Sequence, residues 1–90
     1  MAANFKLFMH ATRDSLHLKI CGDFDGNSAY ELINAIKENA ARSYQIFIDT
    51  DDLTNIYPFG RDVFQNNLAV SKMHLNKIVF IGKNQNNFNF

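Results

Sequence analysis

The first part of the chain alternates between apolar and polar positions with a period of two, which is the pattern of β-strands. The apolar positions are Phe5, Leu7 and Met9 in a first run and Leu16, Leu18 and Ile20 in a second. The polar stretch 11–15 between the runs is typical of a turn. The pattern therefore predicts an antiparallel hairpin at the start of the chain.

Two later segments change to the spacing of amphipathic helices, in which apolar residues recur every three or four positions. The first apolar stripe consists of Ala29, Leu32, Ile33, Ile36 and Ala40, and the second of Phe59, Val63, Phe64 and Leu68. Ser28 and Glu31 form an S-x-x-E capping box, which marks the start of the first helix. Pro58 suits the first position of the second helix, because its missing N–H would be unpaired there in any case.

Two uninterrupted apolar runs, 46–48 and 78–81, are typical of strands that are covered on both faces. We interpret 50–58 as a connection and the asparagine-rich segment 83–90, which has no usable period, as a frayed tail. The element order is then β-β-α-β-α-β. Right-handed crossovers would place both helices on one face of a mixed sheet, in a single α/β domain over residues 1–90.

Composition narrows the classes of function. Apolar residues make up 47% of the chain, and nine basic residues balance nine acidic ones, so no net positive field favours nucleic acid. The single cysteine, Cys21, cannot form an internal disulfide, which suits a reducing compartment. The chain shows no leader-like start and no apolar run near the roughly 20 residues that span a bilayer. We therefore expect a cytoplasmic protein without membrane insertion.

Three groups of residues invite a catalytic or metal-binding interpretation, and none has the required spacing. The Asp-x-Asp of 49–51 resembles a phosphotransferase motif, but too little chain follows to supply the rest of such a site, so a solvated acidic loop is preferred. A calcium loop beginning at Asp23 would need a glutamate where Asn34 stands. His10, His17 and His74 fall on different elements. We expect no catalysis, no metal and no cofactor.

Two motifs and the element order resemble the STAS family, the family of the anti-sigma-factor antagonists. Residues 18–25 (LKICGDFD), followed by Ser28, resemble the family's strand-Gly-x-hydrophobic-Asp segment that leads into its first helix. Residues 46–60 resemble the strand, loop and helix start that ends in Asp-Ser-Ser-Gly in the family. The spacing from Asp49 to Gly60 fits without a gap. The resemblance covers residues 5–82 and implies a STAS-like fold.

The resemblance also implies a function, which is docking to a protein partner at the start of the second helix. By family analogy the partner would be an anti-sigma factor kinase, a signalling complex or a transporter ATPase. The residues expected to form the docking surface are Asp25, Asn27, Thr54, Tyr57, Pro58, Phe59 and Arg61. The alternative for Phe59 is a place in the core.

One departure from the family changes the expected mechanism. The family's Asp-Ser-Ser-Gly reads Tyr57-Pro58-Phe59-Gly60 here, so the serine that a kinase would phosphorylate is missing. Thr54 and Tyr57 carry the nearest hydroxyl groups. Two further hypotheses stay open: a small-ligand or nucleotide sensor that uses the same helix start as an anion site, and a homodimer that covers an exposed edge strand.

Overall fold

The structure, a computed structural model, describes residues 4–39, 45–70 and 78–88, with the backbone alone for 68–70. The elements are β1 (Lys6–Ala11), β2 (Ser15–Phe24), α1 (Gly26–Asn39), β3 (Gln45–Ile56), α2 (Pro58–Val70), β4 (Ile78–Ile81) and a short 3-10 helix (Gln85–Phe88). The strands form one sheet in the order β1-β2-β3-β4. β1 pairs antiparallel with β2, whereas β3 runs parallel to both β2 and β4. The predicted mixed sheet is confirmed.

The core lies between the sheet and the two helices. Every second residue of β2 and of the first half of β3 points toward the helices and is almost fully buried, as shown by Leu16, Leu18, Ile20, Ile46 and Ile48. The helix face opposite them carries Leu32, Ile33 and Ile36, each at most 1% exposed. Burying an aliphatic side chain of this size contributes about 1.5–3 kcal/mol. The alternating apolar residues of the strands and the apolar stripes of the helices therefore pack into one core, with both helices on the same face of the sheet.

β3 is longer than the sequence indicates. Segment 50–58, which we expected to be a connection, continues the strand as far as Ile56, and its pairing with β2 shifts register twice, at Lys19/Cys21 and at Gly22/Asp23. Such irregularities let a strand continue through residues that break the alternation. Thr50 is fully buried, and its hydroxyl donates to the carbonyl oxygen of Ile81 at 2.8 Å. The expectation of a loop here was wrong, although Asp51 and Asp52 are exposed to solvent as expected.

The segment after β4 also differs from expectation. In place of a frayed end, the 3-10 helix turns Phe88 into the core, where it is 2% exposed. Its ring stacks on Phe80 with centroids 4.6 Å apart and meets the edge of Phe24 at 5.1 Å. A single aromatic anchor has no period, so the hydrophobic pattern could not reveal it. Residues 89–90, together with Ala40 and His74, lie outside the described residues, as does the side chain of Leu68.

Candidate functional site

The start of α2 packs closely against the loop between β2 and α1, and glycines make that approach possible. The backbone N–H of Tyr57 donates to the carbonyl oxygen of Phe24 at 3.0 Å. A Cβ on Gly60 would lie 2.8 Å from the carbonyl oxygens of Phe24 and Asp25, which is closer than real Cβ atoms come to backbone. A Cβ on Gly26 would lie 2.9 Å from the ring of Phe59. The two motifs that carried the resemblance are therefore in direct contact.

Two aromatic side chains project from this junction into solvent. Phe59 is 69% exposed and Tyr57 is 47% exposed, so the alternative that Phe59 belongs to the core is wrong. Pro58 begins α2, as the sequence predicts. Large aromatic side chains exposed to this degree are costly to leave in water, and they are common anchors of protein interfaces.

The remaining candidate residues lie around this pair to differing degrees. Asn27 is exposed in the first turn of α1, and Arg61 is half-buried in the first turn of α2. Thr54 is exposed on β3, three residues before Tyr57 in the chain, and we do not include it in the surface defined next. We call the surface formed by Asp25, Asn27, Tyr57, Pro58, Phe59 and Arg61 the docking patch. Sequence reasoning missed the role of Gly26, whose signal was the Gly-Asn pair at the start of α1.

Asp25, not Ser28, caps α1. The carboxylate oxygen Oδ1 of Asp25 accepts hydrogen bonds from the backbone N–H of Ser28 at 2.9 Å and from its hydroxyl at 3.0 Å. α1 begins at Gly26, so Ser28 occupies the third helical position and Glu31 lies too far along to complete a capping box. The hydrogen bond from the Ser28 N–H is the main cause that lowers the pKa of Asp25, and it outweighs the opposing effect of burial.

Replacing Asp25 with alanine should therefore destabilise the fold. We expect a loss of about 1 kcal/mol in the free energy of unfolding at neutral pH, since alanine leaves the helix donors unpaired. Because the pKa of Asp25 is lower in the folded state than its ordinary value of 3.8, this contribution is present above that pH and is lost as the pH falls through the folded-state pKa. Chemical denaturation of both proteins from neutral pH to acid measures the difference. Asn27→Ala, in the same turn, is the control, and equal losses in the two variants would contradict the assignment of the cap.

The acidic residues of β3 have structural partners. Asp49 Oδ1 accepts from the N–H of Asp51 at 3.0 Å, and Asp51 Oδ1 accepts from the N–H of Lys83 at 2.7 Å. Gly82, with φ of 97°, fits against these carboxylates where a side chain would collide. Asp52 pairs with Lys19 at 2.9 Å and, chiefly through that hydrogen bond, raises the pKa of the lysine. Asp51 therefore ties the segment after β4 to β3, whereas Asp52 joins β3 to β2.

No set of three or more His, Cys, Asp or Glu side chains in 4–39, 45–67 and 78–88 converges closely enough to hold a metal ion. His10 and His17 face each other across β1 and β2 with ring centroids 6.5 Å apart. Neither α1 nor α2 is both long enough and apolar enough to cross a membrane, in the part of the chain that the structure covers.

Comparison with known proteins supports the fold at the level of structure. No family model matches the chain, and no curated protein matches it in sequence. A solved structure of an uncharacterized protein of the DUF3478 family from Shewanella loihica, with a SpoIIAA-like fold, is similar with a TM-score of 0.57. The two share 15% sequence identity over 92% of this chain and 73% of the other. At this identity the likeness shows the fold alone. The chain therefore has a SpoIIAA-like fold, which is the STAS-like fold that the sequence resemblance implied.

Proposed function

We propose that this STAS-like domain is a non-enzymatic interaction module that binds a protein partner through the docking patch. The observation that carries the proposal is the joint exposure of Tyr57 and Phe59, at 47% and 69%, on a backbone held in place by the Gly60 contact. Aromatic and arginine side chains contribute most of the energy of typical interfaces. A rigid base lowers the entropy lost on binding, because the anchors are already oriented.

Binding here would not be controlled by a phosphoserine. Pro58 and Phe59 have no hydroxyl group at the position of the family's serines. The nearby Ser28 is fully buried, and its hydroxyl donates toward Asp25 and toward the carbonyl oxygen of Asp23 at 2.8 Å. A kinase could reach Ser28 only after the start of α1 opened. Thr54 and Tyr57 are exposed, so any phosphorylation in this region would fall on them.

The patch also defines the chemistry expected of the partner. Its centre is apolar and aromatic, while its only formal charges, on Asp25 and Arg61, have opposite signs. A complementary surface would offer an apolar hollow for the Phe59 ring and a polar group for the Tyr57 hydroxyl. An anti-sigma factor kinase, a signalling complex or a transporter ATPase in the cytoplasm could each present such a surface, by analogy with the family.

The test begins with a photo-reactive phenylalanine analogue at position 59 or, as control, at position 8. Phe8 is 56% exposed on the opposite face of the sheet. A protein crosslinked in the native host from position 59 alone is then purified, and its affinity is measured by calorimetry. We expect Tyr57→Ala and Phe59→Ala each to weaken binding by about tenfold or more, and Phe8→Ala to leave it unchanged. Equal affinity for all three variants would rule out the docking patch.

The sensor hypothesis has one observation in its favour. The Nε atom of Arg61, in the first turn of α2, is buried and has no hydrogen-bond partner among the described residues. An anion at this helix start could satisfy it together with free backbone N–H groups. Thermal-shift measurements with inorganic phosphate and nucleotides distinguish the two functions, since a ligand that binds only the folded state raises the midpoint. A rise that Arg61→Ala abolishes would support the sensor, and a flat response would remove it.

A further inference from the structure

The face of the sheet opposite the helices is uncovered in the described structure. Three of its apolar side chains are well exposed: Phe8 at 56%, Val79 at 37% and Ile81 at 38%. The strands β2, β3 and β4 are parallel to one another. Parallel sheets are usually covered on both faces. An apolar surface of this kind on a sheet often marks an interface. We call this surface the open face.

The pairing register arranges the open face in two rows that run across the sheet. From β1 to β4, the first row reads His10, His17, Phe47 and Val79, and the second reads Phe8, Lys19, Asp49 and Ile81. The rings of His17 and Phe47 stack at 5.1 Å. In the second row a cation and an anion therefore lie side by side on the two central strands, with an apolar residue at each end.

This arrangement is self-complementary. A two-fold axis parallel to the strands and midway between β2 and β3 places β2 of one copy over β3 of the other, and β1 over β4. Lys19 then lies opposite Asp49 of the second copy, and Phe8 lies opposite Ile81. In the first row, His17 meets Phe47 and His10 meets Val79. Lys19, which pairs with Asp52 of its own chain at 2.9 Å, then gains a second carboxylate, and Asp49 gains a cation. Opposite charges that face each other across an interface favour a specific contact.

The shape of a twisted sheet agrees with the same axis. Twist makes a sheet saddle-shaped, and rotation about an axis along its strands produces a saddle of the same sense. The two open faces can therefore stack at an even separation, as in sheet-on-sheet packing with roughly aligned strands. We propose that two copies of this chain associate through their open faces, with Lys19 of each copy against Asp49 of the other. This proposal does not depend on the docking patch.

The area sets the expected strength. Four strands about 4.8 Å apart and some six residues long present about 400 Å² of sheet per copy. Two copies would together bury about 800 Å², which is below the about 1,200–2,000 Å² of standard specific interfaces and within the range of weak, transient ones. We therefore expect a reversible dimer with a dissociation constant in the micromolar to millimolar range, visible only at high protein concentration.

Charge exchange tests the pairing directly. Sedimentation equilibrium over that concentration range should show dimer for the natural chain. Lys19→Asp places two carboxylates opposite each other and Asp49→Lys places two ammonium groups opposite each other, so each should raise the dissociation constant by about tenfold or more. An equal mixture of the two variants restores both opposite-charge contacts and should dimerise as the natural chain does.

Further variants protect the test against misfolding. Val79→Glu changes an exposed side chain on β4 and should weaken the dimer while leaving thermal unfolding at low concentration unchanged, whereas Phe59→Ala on the helix side should have no effect on self-association. A natural chain that stays monomeric at about 1 mM would overturn the proposal. So would dimerisation that Lys19→Asp, Asp49→Lys and Val79→Glu all leave intact, or single variants that weaken the dimer but fail to restore it when mixed.

Discussion

Replacing Phe88 with alanine is expected to lower the free energy of unfolding by about 3–5 kcal/mol, the cost of emptying a well-packed aromatic site. Phe88 is 2% exposed and contacts three other rings: Phe24 and Phe64, edge to face, and Phe80, stacked. Removing its side chain would leave a cavity in the core beside the edge strand β4. Because small domains have only about 5–15 kcal/mol of stability, the variant should be close to unfolding at physiological temperature.

The measurement is thermal and chemical unfolding followed by circular dichroism. For a domain of this size, the midpoint should fall by more than about 10 °C. Phe8→Ala is the matched control, since it removes the same side chain from a site that is 56% exposed, and its midpoint should barely change. Comparable midpoints for the two variants would mean that the 3-10 helix does not anchor the core.

Gly60→Ala is the second change with a large expected effect, and its sign is opposite to the one that helix propensity predicts. Alanine is better than glycine inside a helix by about 1 kcal/mol. Here the added methyl group would lie 2.8 Å from two backbone carbonyl oxygens, those of Phe24 and Asp25, which cannot move without breaking the cap of α1. Overpacking of this kind typically costs about 1–3 kcal/mol, so we expect a net loss of stability.

The same substitution should also change binding. Relief of the collision would push the first turn of α2 outward and tilt Tyr57 and Phe59 together, so partner affinity should fall along with stability. Urea denaturation measures the first effect and calorimetry with the purified partner the second. Asn66→Ala, at an exposed position of α2, is the control and should be neutral or slightly stabilising. A Gly60→Ala protein more stable than the natural one would show that the close approach is not required.

The alternation and helical spacing predicted the fold well, because most core positions repeat with the period of their element. The places where prediction failed are those where a contact has no period. The end of β3 was interpreted as a loop, since Asp51 and Asp52 break the alternation and only pairing partners with shifted register show that they lie in a strand. Phe88 was missed for a similar reason, being a lone ring after a polar stretch.

At the candidate site, the family resemblance was a better guide than helical spacing or the capping-box pattern. The exposed aromatic residues lie where the STAS resemblance implies, yet neither Tyr57 nor Phe59 could be assigned to the surface from the helical stripe alone, because Phe59 continues its spacing. The predicted capping box of Ser28 and Glu31 was wrong because residues 25–31 contain two possible N-caps. The helix begins at the earlier one, where the carboxylate of Asp25 accepts from the N–H of Ser28. The open face could not be predicted, because it depends on which strands are neighbours.

The side-chain hydrogen bonds that join β3 to the end of β4 affect the order in which the elements fold. The hydroxyl of Thr50 and the carboxylate of Asp51 reach partners 31 and 32 residues away, whereas the β1–β2 hairpin closes across a short turn. Forming contacts between distant residues is slower, because more chain entropy must be lost before they form. We therefore expect the hairpin and α1 to form early and β4 to dock last. Until then Phe24 and Phe64 would remain partly uncovered, so the interval before β4 docks is when the chain is most prone to aggregate.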